Sequence, residues 1–431
     1  MAWKGNEITA FSVHASKSIV LNKKKIINDP IYGFIQLPHE TIYDLIQHPY
    51  FQRLRRIKQV GMTYQVYPGA MHTRYNHALG AMHLMQKAIA ILRQKGHEIS
   101  DEEALGAYIA ILLHDVGHGP FSHALEFLFI RDVHHEDISM RMMHDINAEM
   151  YGKLDTAIAI FQGSYPKRFL HQLVSSQLDM DRLDYLTRDS FFTGVSEGVV
   201  SWDRILNMLE VVDDQLVIEE KGIYSIEKFI VARRLMYWQV YLHKTVLSAE
   251  FMIASILKRA KELAMRGEKL FGTPALLFFL EQNIDAERFK NDPLVIQQFS
   301  ALDDHDIFSA LKVWSTHSDL LLAHLSYALF NRQLNRVYLS KEPFSTHYLT
   351  ELKDKLLTLY PEIKGQEEYL LATGTITNNA YNPKTDRILI LRKDGQLVDV
   401  TELSDNFNLK SLAETVVKHY LWLPKFLENK P

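Results

Sequence analysis

Hydrophobic and polar positions follow a helical period over most of this chain. Between about residues 39 and 263, apolar side chains recur every three to four positions, the spacing of one buried helix face. Gly61, Pro68-Gly69, Gly96 and a glycine-rich run at 117–120 interrupt the pattern, so we expect several separate helices. The period predicts helices over 41–47, 52–60, 77–95, 101–114, 123–129, 136–144 and 225–263, continuing in pieces to about residue 338.

A two-residue alternation predicts strands at three places outside these helices. Residues 17–37 alternate around Asn28-Asp29-Pro30 and predict a hairpin or an extended segment, and 212–224 predict a hairpin that turns near Lys221-Gly222. Strands are also predicted over 373–377, 387–392 and 397–403, with the turn at Asp394-Gly395, followed by a closing helix over 409–423.

These elements predict a mainly α fold, a helical bundle with small β-hairpins and a C-terminal α+β appendage. We expect three parts along the chain. They are an extended or hairpin segment over 1–38, a helical domain over 39–344 and a small α+β region over 345–431.

Composition narrows the class of protein. The 431 residues are 47% hydrophobic and 23% charged, which is ordinary for a soluble globular protein. The formal net charge of −4 argues against duplex nucleic acid as the main partner, because such proteins concentrate Lys and Arg. The chain has no cysteine, which excludes disulfides and thiolate metal sites. No apolar stretch is long enough for a signal peptide or a membrane span, so we expect a soluble cytoplasmic protein.

A histidine and aspartate cluster is the strongest chemical signal. The sequence LHDVGHGP at 113–120 ends an apolar helix and enters a bend in which Gly117 and Gly119 give the backbone freedom. His114 and Asp115 can both reach one ion at such a helix end. An imidazole with a carboxylate suits a divalent ion such as manganese, iron, nickel or zinc, and magnesium also remains open.

Two further residues complete this candidate metal site. His77 lies in the first turn of a predicted helix, and Asp181 lies in the sequence DMDRLDY. His77, His114, Asp115 and Asp181 together supply two nitrogen and two oxygen ligands. Such a set leaves coordination positions for water and a phosphate oxygen, which catalytic metal chemistry requires.

The surrounding sequence resembles the deoxynucleoside triphosphate triphosphohydrolase branch of the HD superfamily, which includes the human SAM- and HD-domain enzyme and bacterial relatives. Five segments carry the resemblance: DPIYG at 29–33, FQRLR at 51–55, YPGA at 67–70, HDVGHGPFSH at 114–123 and DRLDYLTRD at 181–189. The similarity runs from about residue 25 to residue 244, with a further short match at 332–336. It implies metal-dependent hydrolysis of a deoxynucleoside triphosphate to a deoxynucleoside and intact triphosphate.

The resemblance also implies catalytic roles. His135 would protonate the departing 5′-oxygen, and His118 would lie beside the α-phosphate. Glu126 stands where relatives carry an acidic residue of the same network, and Glu136 follows His135 directly. General acids of this kind are most often histidines.

Substrate contacts follow from the same resemblance. Guanidinium and ammonium groups suit phosphate oxygens, and the candidates are Arg74, Arg182, Arg233 and Lys244. Gln59 and Asp189 would hold the 3′-hydroxyl of the sugar. Tyr185 would lie beneath the ring and leave no room for a 2′-hydroxyl, with Tyr241 completing the wall.

A regulatory nucleotide site and a homo-oligomer, dimer or tetramer, are implied as well. The residues that match the regulatory site are Lys25, Gln52, Arg55, Arg204, Arg332 and Arg336. Gln47 stands where the human-type enzyme has an aspartate that reads guanine. This argues against guanine-specific activation and leaves a phosphate-binding regulatory pocket open. The run at 53–56, RLRR, fits either this site or a solvated helix face.

Two alternatives remain at this point. The first is an HD-type nucleotidase or phosphodiesterase that acts on another nucleotide, which product identity would separate from a triphosphohydrolase. The second is a non-catalytic protein that binds a regulatory nucleotide or a nucleic acid, which intact metal ligands argue against. Isolated histidines such as His72 we interpret as ordinary core or surface residues.

Overall fold

The computed structural model describes residues 25–121, 125–383, 386–405, 409 and 414–428. It is mainly α, with small hairpins and strands in the C-terminal region, which confirms the predicted fold class. The helices are α1 (Glu40–Gln47), α2 (Pro49–Gln52), α3 (Arg74–Gln94), α4 (Asp101–Leu113), α5 (Glu126–Phe129), α6 (His135–Glu149), α7 (Asp155–Phe161), α8 (Arg168–Val174), α9 (Met180–Thr193), α10 (Trp202–Asn207), α11 (Ile223–Met236), α12 (Lys244–Met265), α13 (Pro274–Leu280), α14 (Ala286–Asn291), α15 (Pro293–Ala301), α16 (Asp304–Trp314), α17 (Leu320–Phe330), α18 (Thr346–Leu359) and α19 (Val400–Leu403).

Three small sheets surround the helices. The strands are β1 (Ile26–Asp29), β2 (Gly33–Gln36), β3 (Leu209–Val212), β4 (Gln215–Glu219), β5 (Arg336–Ser340), β6 (Ala372–Asn378), β7 (Leu389–Leu391), β8 (Leu397–Asp399) and β9 (Val416–Leu423). β1 and β2 form the predicted N-terminal hairpin, paired from Ile26 with Gln36 to Asp29 with Gly33. The second sheet has the order β3-β4-β7-β8, and the third has the order β5-β9-β6.

α3 is the centre of the fold and positions the site. It packs against α4 on one side and against α9 on another. Its start is fixed by a capping box between Thr73 and Asn76, and that of α4 by one between Ser100 and Glu103. α9 begins at the N-cap Asp179 and ends where Gly194 adopts φ 75°, a conformation that glycine reaches without strain. The start of α3, the end of α4 and the start of α9 lie close together.

One hairpin turn and one helix were predicted wrongly. The middle hairpin spans β3 and β4 and turns at Asp213-Asp214, not at Lys221-Gly222, because both aspartates adopt positive φ angles of 49° and 61°. The segment predicted as a closing helix contains β9 over residues 416–423. Its β-branched and aromatic side chains favour a strand, and β9 pairs with β5 and with β6.

One predicted helix is shorter than expected. The helical pattern of 52–60 continues only to Arg56, where a short 3-10 turn ends. Residues 57–59 are then extended alongside 72–74: Gln59 N–H donates to the His72 carbonyl at 3.1 Å, and Arg74 N–H to the Ile57 carbonyl at 3.0 Å. This pairing brings two distant segments to one place.

Within the part of the chain that the structure describes, no single helix has the length and apolar composition of a membrane span. The pair Glu220–Tyr241 and Lys244–Met265 meets both criteria only when taken together, across a bend of 56°.

Candidate active site

Ligand atoms from three helices meet at one point. His77 lies on α3, His114 and Asp115 follow the end of α4, and Asp181 lies in the first turn of α9. The Nε2 atoms of His77 and His114 are 3.4 Å apart, and Asp181 Oδ1 lies 3.1 Å from the first and 3.5 Å from the second. Asp115 Oδ1 is 3.3 Å from His114 Nε2. The fold thus brings His77, His114 and Asp181 into one group, and Asp115 adjoins it in a second group with His118 and His135.

These separations fit a divalent ion. Metal–nitrogen and metal–oxygen bonds of about 2.0–2.2 Å place neighbouring ligand atoms roughly 3.0–3.5 Å apart. Each histidine also has its other ring nitrogen occupied: His77 Nδ1 faces Asp184 Oδ2 at 2.8 Å, and His114 Nδ1 faces the Ile111 carbonyl at 2.6 Å. When Nδ1–H donates to these oxygens, Nε2 presents a lone pair to the cluster. The donor set could therefore hold a metal ion.

Behind His77 lies a buried ion network that sequence reasoning missed. Asp184 accepts from Arg188 Nε at 2.9 Å and from Nη2 at 3.0 Å, and Arg188 Nη1 donates to Asp29 Oδ2 at 2.8 Å. All three side chains are buried. The signal was present in the sequence, since Asp184 follows Asp181 by three positions and so lies on the same helix face.

Gly80 makes room for this network. A Cβ atom at position 80 would lie 2.0 Å from Asp184 Oδ1 and 2.2 Å from Arg188 Nη2. α3 and α9 approach closely here because residue 80 has no side chain.

The cluster stabilises positive charge. Burial alone would lower the pKa of His77, but hydrogen bonds with Asp181 and Asp184 raise this pKa to about 10. Burial alone would raise the pKa of Asp115, but the neighbouring His114, His118 and Arg74 hold it well below its usual range. A metal ion that binds here competes with protons on the histidines.

A pair of stacked histidines adjoins the cluster. The rings of His118 and His135 lie 3.8 Å apart at 20°, and His118 Nε2 is 3.2 Å from Asp115 Oδ1. Burial and then Arg74 lower the pKa of His118 well below its usual value, so its ring is neutral at neutral pH. His135 is the first residue of α6, and its Nε2 is 3.3 Å from Oε1 of the exposed Glu136. The side chain of Glu126 lies outside the described residues.

Arg53 supports the turn that carries His118. It is fully buried, and its Nη1 donates to the Val116 carbonyl at 3.0 Å and to the His118 carbonyl at 2.8 Å. Its Nη2 donates to the Leu302 carbonyl at 3.3 Å. The run at 53–56 is therefore not simply a solvated helix face. Arg53 points inward, because a 3-10 turn rotates neighbouring side chains differently from an α-helix.

A cavity of about 460 Å³ opens beside the metal cluster. Nearly all predicted catalytic and substrate residues with described side chains border it or the cluster. Those that line the cavity are Gln59, Arg74, Asp115, His118, His135, Asp181, Arg182, Tyr185, Asp189, Arg233 and Tyr241. Phe121, Tyr237 and Glu250 also line it and were not anticipated.

One predicted substrate residue lies elsewhere. Lys244 borders a second cavity, of about 280 Å³, together with Arg332, Arg336 and Lys425. It is the first residue of α12, just after the bend that follows Tyr241. Its position therefore groups it with two of the candidate regulatory residues.

The cationic wall of the larger cavity is built from arginines held by their neighbours. Arg182 is paired with the buried Asp179, and Arg233 Nη1 donates to Gln177 Oε1 at 2.9 Å. Within the described residues, the Nε atoms of both arginines and the Oε1 atom of Gln59 are buried without a hydrogen-bond partner. A buried polar atom without a partner is unfavourable, so a polar ligand in this cavity would relieve that cost.

Another part of the wall is aromatic and centres on Asp189. Asp189 Oδ2 accepts from the Tyr241 hydroxyl at 2.7 Å, and the Tyr185 and Tyr241 rings meet edge to face at 6.3 Å. Tyr241 belongs to a π-helical turn over Tyr237–Tyr241, a distortion often found at functional sites.

His72 lies behind this wall as a buried core residue, as expected, and contacts Asp189. Its Nε2 lies 2.7 Å from Asp189 Oδ1, and its ring stacks on Phe192 at 4.6 Å. No spacing pattern could have linked it to Asp189, because 117 positions separate the two residues.

The candidate regulatory residues form separate groups. Gln52 Oε1 accepts from Arg55 Nε at 2.9 Å, and Lys25 Nζ lies 5.4 Å from the Tyr43 ring centre. Arg204 Nη2 donates to the Lys221 carbonyl at 3.0 Å. Arg332 and Arg336 border the second cavity. Over the described ranges, no hydrogen bond or ion pair joins these groups within one chain.

Comparison with known families identifies two regions. An HD domain matches residues 74–189, and an HD-associated region matches residues 200–271. The first contains all four candidate metal ligands. The second contains Arg233, Tyr241 and Lys244.

Similar proteins include bacterial and eukaryotic chains. The uncharacterized protein YwfO of Bacillus subtilis is 31% identical over 94% of both chains. The deoxynucleoside triphosphate triphosphohydrolase SAMHD1 homolog of Dictyostelium discoideum is 37% identical over 57% of this chain, and human SAMHD1 is 31% identical over the same share. The chain spans about half the length of these two relatives, 51% and 46%.

A solved structure has the same architecture. A phosphohydrolase from Bacteroides thetaiotaomicron is 52% identical and superposes with a TM-score of 0.90, over 93% of this chain and 99% of the other.

Proposed function

The chain belongs to the HD-domain family of phosphohydrolases, and on this premise we propose that it hydrolyses deoxynucleoside triphosphates to a deoxynucleoside and triphosphate. The proposal rests on one observation: the candidate metal cluster and the large cavity share residues. Asp181 groups with His77 and His114, and Asp115 Oδ2 lies 3.8 Å from His77 Nε2. Both carboxylates also line a cavity with three arginines and an aromatic wall. A triphosphate on the arginines would place its sugar towards the tyrosines. The α-phosphate would then lie near the metal cluster.

His77, His114, Asp115 and Asp181 would hold the divalent ion, for which manganese, magnesium, iron, nickel and zinc are all candidates. When bound, such an ion polarises a phosphoryl oxygen and lowers the pKa of a bound water.

The histidine pair supplies the proton chemistry. His135 is partly buried at the cavity and would protonate the departing 5′-oxygen, with Glu136 beside its Nε2. His118 is held neutral against Asp115 and would donate a hydrogen bond to the α-phosphate. Arg74, Arg182 and Arg233 would neutralise the rest of the polyphosphate, because fixed guanidinium groups stabilise developing negative charge.

Sugar selection would come from the aromatic wall. Gln59 Oε1, which has no partner among the described residues, and the Asp189 carboxylate are the groups that would receive the 3′-hydroxyl. Tyr185 lines the same cavity, and its ring would occupy the space that a 2′-hydroxyl needs.

Product identity tests the proposal. Metal-loaded protein is incubated with each of the four deoxynucleoside triphosphates, singly and mixed, and the products are resolved by ion-exchange chromatography. A deoxynucleoside with intact triphosphate is the expected result. Stepwise release of orthophosphate, or turnover of monophosphates alone, would favour the nucleotidase alternative. Protein that binds no metal and turns over nothing would favour the non-catalytic alternative.

We further propose that the second cavity binds a regulatory nucleotide, in a homo-oligomer of two or four chains. Lys244, Arg332, Arg336 and Lys425 supply four cations around about 280 Å³. Activity that appears only with mixed deoxynucleoside triphosphates would support activation. The double variant Arg332→Gln/Arg336→Gln should then lose activation by the mixture, and unchanged activation would contradict this role.

A further inference from the structure

A third cavity lies behind α5, away from the arginine wall and the metal cluster. It measures about 560 Å³ and is bordered by α5, by the C-terminal half of α12 and by the segment at 283–285. This volume falls in the range of small-molecule sites. None of its lining residues lines either of the other two cavities.

Cations dominate its polar lining. Arg131, Lys258, Lys261 and Arg266 border the cavity, against the carboxylates of Glu262 and Asp285. Asp285 is already engaged as the N-cap of α14, where it accepts from a backbone N–H at 2.9 Å. The positive charges therefore outnumber the carboxylates that face them.

The ion pairs that these cations form with carboxylates are long. Arg131 pairs with Asp132 at 3.5 Å, with both side chains largely exposed, and Lys258 pairs with Glu368 at 3.7 Å. The Arg266–Glu262 distance is 3.9 Å. Exposed pairs at such distances contribute little, so these side chains can turn towards a stronger anion.

Lys261 is the cation with the deepest position. Its Nζ donates to the Leu128 carbonyl at 3.1 Å. Burial and then the nearby Arg131 lower its pKa, because a second positive charge lies close to the ammonium group. An anion between Lys261 and Arg131 would offset this repulsion.

The remaining lining is apolar and open. Phe127 and Met265 are each 48% exposed, and both border the cavity. A flat ring and a thioether next to cations suit a planar base attached to phosphates.

We propose that this cavity binds a nucleoside polyphosphate, with its base on Phe127 and Met265 and its phosphates on Arg131, Lys258, Lys261 and Arg266. A polyphosphate is long enough to contact several of these cations at once, which a single carboxylate or orthophosphate is not. This proposal is independent of the substrate assigned to the larger cavity.

Occupancy would act on the catalytic histidines through α5. The Phe127 ring meets the His134 ring edge to face at 5.2 Å, and His134 is the N-cap of α6, which begins at His135. The Arg131 N–H also donates to the Ile284 carbonyl at 2.9 Å, which ties the end of α5 to the cavity wall. A ligand that orders α5 would thereby order the start of α6.

Hydrogen exchange tests this site with ATP as the probe. In the metal-loaded wild-type chain, ATP should slow amide exchange at 127–134 in a saturable way. The double variant Arg131→Gln/Lys261→Gln should raise the half-saturating ATP concentration at least about tenfold, because it removes two charge-assisted contacts. The matched control Lys153→Gln/Lys393→Gln removes two exposed cations that border none of the three cavities and should leave this concentration within about twofold. Unfolding curves establish that both variants fold.

The variant Phe127→Ala distinguishes the contribution of the base to binding from that of the phosphates. It should weaken ATP more than inorganic triphosphate, because only ATP carries a base to stack. The proposal is overturned by an unchanged half-saturating concentration in Arg131→Gln/Lys261→Gln. It is also overturned if protection at 127–134 depends on protein concentration and not on ATP, which would identify a contact between copies of the chain. Product analysis of the wild-type enzyme tests the catalytic proposal separately, so either can fail alone.

Discussion

For individual residues, the orientation of each side chain in the site depends on which of its polar atoms already has a hydrogen-bond partner. His77 and His114 both have Nδ1 tied to an oxygen, so the same fold that buries them also aims Nε2 at the cluster. In Asp189, Oδ2 accepts a hydrogen bond from the Tyr241 hydroxyl, and Oδ1 lies within hydrogen-bond distance of His72 Nε2. These supporting contacts fix the orientation of the side chains in the site. The residue types alone do not reveal that orientation.

Asp184→Asn should weaken metal binding about 10- to 100-fold, because the charge that orients the His77 ring is lost. Competition with a fluorescent chelator measures the affinity. Asp203→Asn, at an exposed position of α10, is the matched control and should change nothing. A folded Asp184→Asn protein with wild-type metal affinity would contradict this role.

His72→Phe should reduce kcat/KM for deoxynucleoside triphosphates about tenfold or more, because the Asp189 carboxylate loses one of its hydrogen-bond partners. Phenylalanine keeps the stack on Phe192, so the wall remains filled. Analogues that lack the 3′-hydroxyl should show a much smaller change, since they do not use Asp189. His347→Phe at an exposed site is the control, and an equal loss with both substrate types would show a merely structural role.

At the scale of elements, helix packing decides what each position tolerates. Gly80→Ala should destabilise the protein, although helix propensity alone favours alanine by about 1 kcal/mol. The added Cβ would overlap Asp184 and Arg188 in a buried network that cannot move outward. Ala90→Gly, at an exposed position of the same helix, should cost only about 1 kcal/mol. Urea unfolding compares the two, and a more stable Gly80→Ala protein would contradict the close approach of α3 and α9.

The cap of α4 should show a specific pH dependence. Burial alone would raise the pKa of Glu103, but Lys167 and the Ser100 backbone N–H lower it. A carboxyl with a depressed pKa in the folded state stabilises above its unfolded pKa and loses that contribution as pH falls through the folded value. The difference in free energy of unfolding between wild type and Glu103→Gln should therefore be largest above about pH 5 and shrink towards pH 3. A difference that grows on acidification would contradict the assignment.

Elements could be predicted from the sequence where the local hydrophobic pattern agrees with the packing. Predictions were wrong or missing where a segment or side chain pairs with residues far away in the sequence. The period of 77–95 gave α3, and the HD motif with its flanking matches predicted the metal ligands as one group. The strand β9 was read as a helix because its neighbours β5 and β6 lie dozens of positions earlier. The contacts of His72 and Arg53 were not predicted for the same reason, since each side chain reaches a remote segment.

In the folded protein as a whole, the candidate metal ligands lie on or next to three helices, α3, α4 and α9, which are separate in the sequence. A bound ion therefore stabilises their mutual packing as well as the site. Removal of the ion with a chelator should lower the free energy of unfolding by about 3–4 kcal/mol when the ion was present at several hundred times its dissociation constant. Differential scanning calorimetry measures the loss, and readdition should restore it. His77→Ala should be insensitive to the chelator, and an equal response in this variant would place the ion elsewhere.

The order β5-β9-β6 has a consequence for synthesis of the chain. β9 is central in its sheet but leaves the ribosome after both of its neighbours, so β5 and β6 emerge with open hydrogen-bonding edges. The helical body with its metal ligands precedes them and can fold first. During this interval the nascent chain exposes two strand edges that another polypeptide could pair with. Slow translation just before β9 should therefore favour aggregation, and a chaperone that shields these edges should counteract it.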